Sequence, residues 1–337
     1  MLGFKHRQER SWGPVRRREF ITLIGGAAAL PFAALAQQPG RVRRIGYLSP
    51  ARLPQLLQAL HNGLREFGFI EGQSIVIDYR FAEGQAKTMD ELAAELVQLG
   101  PDVIVTVASG AALAAKRATT TIPIVMATVG EPVGIGLVTS LARPGGNITG
   151  VTLYGSELAR KRLELLKETI PGVRRVALLG NAANPFSAFS WNETQPAGPA
   201  LGLELRLFAV RELGELPASF TAMKRDGVDA LVVLSDALFN AARRTIIALA
   251  AEHRLPAMFE AREFAEDGGL MAYGPNIAEM TRRSASLIAK IINGANPGDL
   301  PIEQPTTFEL IINVQTGKAL GVTFPATVLL RADKVIE

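Results

Sequence analysis
The sequence predicts an α/β fold of two doubly wound, Rossmann-like lobes joined by a hinge. Short apolar runs recur along the chain that are continuous rather than alternating, as strands buried on both faces of a parallel sheet must be. Segments of helical period separate them. This alternation occurs twice, around a cluster of turn formers at Arg143-Pro144-Gly145-Gly146-Asn147.

In order, the strand runs of the first half are Ile45-Gly46-Tyr47-Leu48, Ile75-Val76-Ile77, Val103 to Val107 and Ile124-Val125-Met126. Those of the second half are Val176 to Leu179, Leu203 to Val210 and Leu231 to Leu234. Between them, apolar residues spaced three and four apart mark one face of a helix: Leu56, Leu60, Leu64 and Phe67; Leu92, Leu96 and Leu99; Leu163, Leu166 and Ile170. A longer pattern runs through Ile277, Met280, Ser284, Leu287 and Ile291. A stretch rich in Pro and Gly, Gly294 to Pro305, and a last apolar run, Phe308 to Val314, follow it. A helix and a strand left over after the second lobe imply that the chain crosses back between lobes. The expected division is 42–148 with 276–305, and 149–275 with 306–337.

At 337 residues the chain has the length of two ordinary domains. Its 48% apolar and 20% charged residues are globular composition. Having no Cys excludes thiolate metal sites, iron–sulfur ligation, thiol catalysis, disulfides and the lipidated cysteine of a lipoprotein. Residues 1 to 36 hold six Lys/Arg against two Glu, which leaves 30 basic and 30 acidic residues in the rest. A neutral body offers no basic stripe to nucleic acid.

Residues 1–36 read as an export signal. Arg16-Arg17-Arg18 precedes Phe20 to Ala36, an Ala- and Gly-rich run broken by Pro31 that closes on Ala34-Leu35-Ala36 before Gln37. The run falls short of the ~20 strongly apolar residues of a membrane span. Arg17-Arg18-Glu19-Phe20-Ile21 resembles the twin-arginine export motif, with the general secretory route as the alternative. The mature protein is expected to be periplasmic, soluble and monomeric.

Ligands of open α/β sheets bind beyond the carboxyl ends of the strands. The residues there are Ser49-Pro50, Ser109-Gly110, Gly130-Glu131-Pro132, Asn181 with Asn184-Pro185, Ser235-Asp236, Phe259-Glu260 and Tyr273-Gly274. The ligand-binding candidates among them are Ser49, Ser109, Gly110, Glu131, Asn184, Asp236, Phe259 and Tyr273. Ser109-Gly110 opens a helical segment, whose free N–H groups and hydroxyl suit a carboxylate. Glu131 or Asp236 would receive an ammonium group, and together these select a zwitterion such as an amino acid. Tyr47, Phe186, Trp191, Phe259 and Tyr273 would flank an apolar or aromatic side chain. At each position a structural role is the alternative, since Ser, Asn and Asp cap helices and aromatic residues fill cores.

Catalysis finds little support. After the leader only His61 and His253 remain, each on or beside the apolar stripe of its helix. No H-E-x-x-H, G-x-S-x-G or G-x-x-x-x-G-K-[ST] occurs, and Gly134-Ile135-Gly136 lacks the third Gly of a dinucleotide fingerprint. No catalytic residue, metal or cofactor is expected.

Motifs along nearly the whole chain carry a family resemblance. They are Arg17 to Ile21, Gly72-Gln73, Ala118 to Val125, Pro132-Val133-Gly134, Ser140 to Gly150, Arg254 to Met258, Gly268 to Met271 with Tyr273-Gly274, and Phe308 to Asn313. The chain resembles the solute-binding component of an ABC transporter, of the family related to tryptophan/tyrosine-binding proteins, with the type I periplasmic-binding fold. The resemblance implies a small solute in the crevice near Ser109, Glu131, Asn184, Asp236 and Tyr273, with an ABC permease and its ATPase subunit as partners. Two departures bear on the solute. The family usually has Asp-Pro where Glu131-Pro132 stands, and often Asp-Pro where Asp236-Ala237 stands. The longer Glu shifts a cation partner and the missing Pro frees the second loop. An amino acid or aromatic acid is therefore expected as a class.

Two other functions compete. An intracellular sensor with the fold of sugar-responsive repressors would need a helix-turn-helix ahead of residue 42, where the leader stands. An enzyme on a doubly wound fold would need the missing motifs.

Overall fold
In the computed structural model, residues 42–83, 87–153 and 156–337 are described, with Gly3 and without the side chains of Ser156 and Glu157. The expected export signal at 1–36 lies outside the described residues except for Gly3. Val42–Glu337 forms one compact unit.

The first sheet has five parallel strands, β1 (Arg43–Ser49), β2 (Ile75–Phe81), β3 (Val103–Val107), β4 (Ile124–Val129) and β5 (Ile148–Thr152), in the order β2-β1-β3-β4-β5. Its connecting helices are α1 (Pro54–Glu66), α2 (Met89–Gln98) and α3 (Ser109–Ala118). The second sheet repeats that order in β6 (Arg175–Asn181), β7 (Glu204–Val210), β8 (Ala230–Val233), β9 (Ala257–Phe259) and β10 (Met271–Gly274). It then adds β11 (Glu309–Asn313), antiparallel to β10, and β12 (Lys334–Ile336), parallel to β11. Its helices are α4 (Ser156–Thr169), α5 (Pro185–Thr194), α6 (Ala197–Ala200), α7 (Leu216–Arg225), α8 (Ala237–Ala241), α9 (Arg243–Glu252) and α10 (Arg262–Glu266). The long α11 (Ile277–Ile292) and the short α12 (Val314–Leu320) and α13 (Ala326–Leu329) complete the chain. This is the two-lobed α/β architecture that the sequence predicts. In each sheet the strand order reverses once, between β1 and β3 and between β6 and β8, and crevices form at such switch points.

Local chemistry explains the elements. Along β6, Val176 and Leu178 face one core and Ala177 and Leu179 the other, so the strand is apolar throughout because helices cover both faces. Thr88 and Glu91 form a capping box at α2. Asn184 caps α5 with Pro185 in its first turn, Asp236 caps α8 and Asn276 caps α11.

After β10, α11 packs along α1 and against β4 and β5 of the first sheet, before β11 and β12 join the second. A division after residue 148 would cut β5, which pairs with β4. Ile148 to Thr152 stands beside the Pro/Gly cluster and contains a Gly, so locally it looks like loop. It becomes a strand because Gly150 lies against the backbone of Met126, where a Cβ would come within 2.3 Å of the carbonyl oxygen.

Candidate functional site
The carboxyl ends of the two sheets meet at a cleft. Leu53, Leu56, Ser109, Thr128, Gly130 and Leu153 line it from the first lobe, and Asn184, Phe186, Asp236, Phe239, Glu260 and Phe264 from the second. The lobes touch beside it, where Gln55 Nε2 donates to Asn240 Oδ1 at 3.3 Å.

Ser109 opens α3 and is buried, with its Oγ 3.5 Å from the carbonyl oxygen of Gly130. Ala108 before it has φ 68° and ψ 157°, a conformation that costs a non-glycine residue on the order of 1 kcal/mol or more. Its N–H donates to the Thr128 carbonyl at 2.9 Å, which holds the strained turn in place. The first turn of α3 thus starts at the cleft, and its N–H groups have no carbonyl one turn earlier to bond. That is an anion-binding arrangement.

Asp236 meets it from the second lobe. Its Oδ1 accepts from the N–H groups of Leu238 and Phe239 at 2.8 and 3.1 Å, and its Oδ2 from Asn181 Nδ2 and Asn184 Nδ2, both at 2.9 Å. Burial pushes its carboxyl above the usual range, and the four donors pull the other way. No cationic side chain pairs with it among the described residues.

The structure brings Ser109, Asn184 and Asp236 together and separates the other candidates. Ser49 is buried at the end of β1, its Oγ donating to the Ala51 carbonyl at 2.7 Å, and does not line the cleft. Gly110 lines an adjoining groove that shares Ala108, Asn184 and Asp236 with the cleft. Glu131, at φ 46°, lies outside the lining residues. Phe259 is fully buried and stacks on Phe264 with ring centroids 4.4 Å apart, because successive strand residues point to opposite sides and Glu260 takes the cleft position. Tyr273 offers its carbonyl to Arg162 and its ring to Phe308, 6.3 Å away, and it does not line the cleft. Of the flanking aromatics, Phe186 does line it, whereas Tyr47 is buried against Tyr79 and Phe81.

Sequence reasoning placed Glu260 at a strand end but chose its neighbour Phe259, and it passed over Arg162; the two form a buried pair with Nη2 3.4 Å from Oε1. The signal was present: Arg162 lies four residues from both Leu158 and Leu166, so it interrupts the apolar stripe of α4.

Comparison with known proteins places the chain in a family. The family model described as ABC transporter substrate binding protein matches residues 47–336. A tyrosine-binding protein of Clostridioides difficile (strain R20291) is 27% identical over 257 residues, which covers 76% of this chain and 74% of that protein. Among solved structures, an ABC domain in complex with L-Trp from Streptococcus pneumonia has a TM-score of 0.80 at 29% identity, over 87% of this chain and 99% of that one. The ligand-free, open structure of a substrate-binding protein with adhesive properties from Clostridium difficile has a TM-score of 0.61 at 25% identity, over 88% and 99%. With that family model matched across nearly all of its two lobes, the chain belongs to the ABC transporter substrate-binding protein family.

Proposed function
We propose that this protein is an exported receptor that takes an amino acid with an aromatic side chain between its lobes and delivers it to a membrane permease. The observation that carries the reading is the charge pattern of the cleft: a carboxylate at Asp236 without a cationic partner among the described residues, sharing the space with the N-terminus of α3. A zwitterion complements both, with its carboxylate at Ser109 and its ammonium at Asp236. Leu53, Leu56, Phe186 and Phe239 give the apolar wall its side chain needs. The tyrosine-binding relative and the L-Trp complex support the class.

Lobe one comprises 42–153 with 276–305, and lobe two 156–275 with 306–337. Solute bound between them shifts an open-to-closed equilibrium. The greater likeness to the L-Trp complex, 0.80 against 0.61 for the open structure, supports a closed arrangement here. The protein acts by binding, without a chemical step. It works as a periplasmic monomer after loss of residues 1–36, and its permease is driven by an ATPase subunit. No helix among the described residues is long and apolar enough to cross a membrane.

A thermal-shift screen of L-tyrosine, L-tryptophan, L-phenylalanine, aromatic acids and sugars, followed by calorimetry on the hits, tests the reading. Asp236→Asn removes the charge and keeps an acceptor for the cap. It should weaken amino-acid binding at least ~30-fold, since breaking one side of a buried charge pair costs about 2 kcal/mol or more. A purely capping Asp236 would instead leave affinity nearly unchanged in this variant, since Asn caps a helix about as well as Asp, and would cost about 1 kcal/mol of stability only in Asp236→Ala. A neutral sugar as the best ligand would sink the proposal.

A further inference from the structure
The second carboxylate of the cleft is built differently from the first. Glu260 follows β9, is 6% exposed and stands in the cleft wall. Arg162, 4% exposed and not itself among the lining residues, lies beside it. Its Nε donates to the Tyr273 carbonyl at 2.7 Å, and this anchor carries Nη2 to within 3.4 Å of Glu260 Oε1.

The charge of Glu260 is therefore already balanced, and a second cation brought to it would also meet the guanidinium. Its other oxygen, Oε2, is buried with no hydrogen-bond partner among the described residues. Buried acceptors are seldom left so in folded proteins. A balanced carboxylate with one free lone-pair oxygen in a ligand cleft calls for a neutral donor rather than an ammonium.

Resting on the reading above, that the solute is an aromatic amino acid, we propose that Glu260 accepts a hydrogen bond from a neutral O–H or N–H on the solute's ring, with Arg162 as the residue that positions it. The cleft then selects phenol and indole over plain phenyl. A phenyl ring in the same place leaves the buried Oε2 without a donor, and sites built to bond a polar group reject analogues that lack it.

The test is the ratio of dissociation constants for L-phenylalanine and L-tyrosine, measured by calorimetry on each variant, because general damage to the fold cancels in a ratio. The wild type should favour L-tyrosine by about 10- to 100-fold, as for a hydrogen bond to a charged group. Glu260→Ala should bring the ratio to within about threefold of unity, the scatter expected of a lost polar contact. Should that variant fail to fold with Arg162 left unpaired, the double variant Glu260→Met with Arg162→Met removes both charges at similar volume, a change that buried pairs tolerate, and should give the same collapse. Arg162→Met alone should lower the ratio, and Arg162→Lys should restore part of it. A ratio equal in all variants, or near unity in the wild type, overturns the inference and leaves the amino-acid reading standing. A wild type that binds none of L-tyrosine, L-tryptophan and L-phenylalanine overturns both.

Discussion

At Asp236, a helix cap and a cleft charge occupy one side chain. Its Oδ1 holds the start of α8 and its Oδ2 ties down Asn181 and Asn184, so the loops after β6 and β8 are fixed to each other. Burial raises the carboxyl, which favours the protonated form in the folded state. The stability that this contributes is complete below the ordinary carboxylate value of about 4 and is lost as pH rises through the raised one. Asp236→Asn has no such proton to lose. In the absence of solute, the melting temperature of the wild type relative to that variant should therefore be higher at pH 4 than at pH 7. A gap that widens in the wild type's favour with rising pH would mean that the four donors outweigh burial.

At the scale of elements, the crossing of α11 over α1 fastens the returning chain to the first lobe. Leu56, Leu60 and Leu64 of α1 are buried there, and Gly63 permits close approach, because a Cβ would stand 2.3 Å from the carbonyl oxygen of Arg282 and 2.8 Å from Ala285 Cβ. Arg282 adds contacts to Glu66 and Glu279, but all three are substantially exposed, so their share is small. Gly63→Ala gains up to about 1 kcal/mol of helix propensity. Overpacking a helix contact against backbone costs about 1–3 kcal/mol. The clash should win, lowering the denaturation midpoint without altering its slope. A midpoint that rises would show that the helices separate freely.

For the whole molecule, rings of one lobe sit on glycines of the other. Phe186 and Phe189, one turn apart on α5 of the second lobe, sit over Gly130 and Gly134 of the first, where added Cβ atoms would stand 2.4 and 2.3 Å from the rings. Phe189 and Gly134 lie outside the cleft lining, so their contact reports on lobe approach rather than on solute. Gly134→Ala should disfavour the closed form by about 1–2 kcal/mol, which lowers solute affinity about 5- to 30-fold. Small-angle scattering should show a larger radius of gyration at equal solute concentration, and the melting temperature of the solute-free protein should hold. Unchanged affinity would mean that the lobes close without this seat.

Periodicity, capping and turn chemistry are properties of a few neighbouring residues, and from them the sequence alone determined the α/β class, the doubled strand–helix pattern, the long α11 and the polar strand ends that supply Ser109, Asn184 and Asp236. The cleft itself is a meeting of residues far apart in the chain, from Leu53 to Phe264, and only the tertiary structure decided its membership. Pleat direction turned Phe259 into the core and Glu260 to the cleft, and the approach of α4 to β9 and β10 paired Arg162 with that carboxylate. Strand β5 became legible only beside its neighbour, because a glycine on a crowded backbone owes its role to the atoms packed against it.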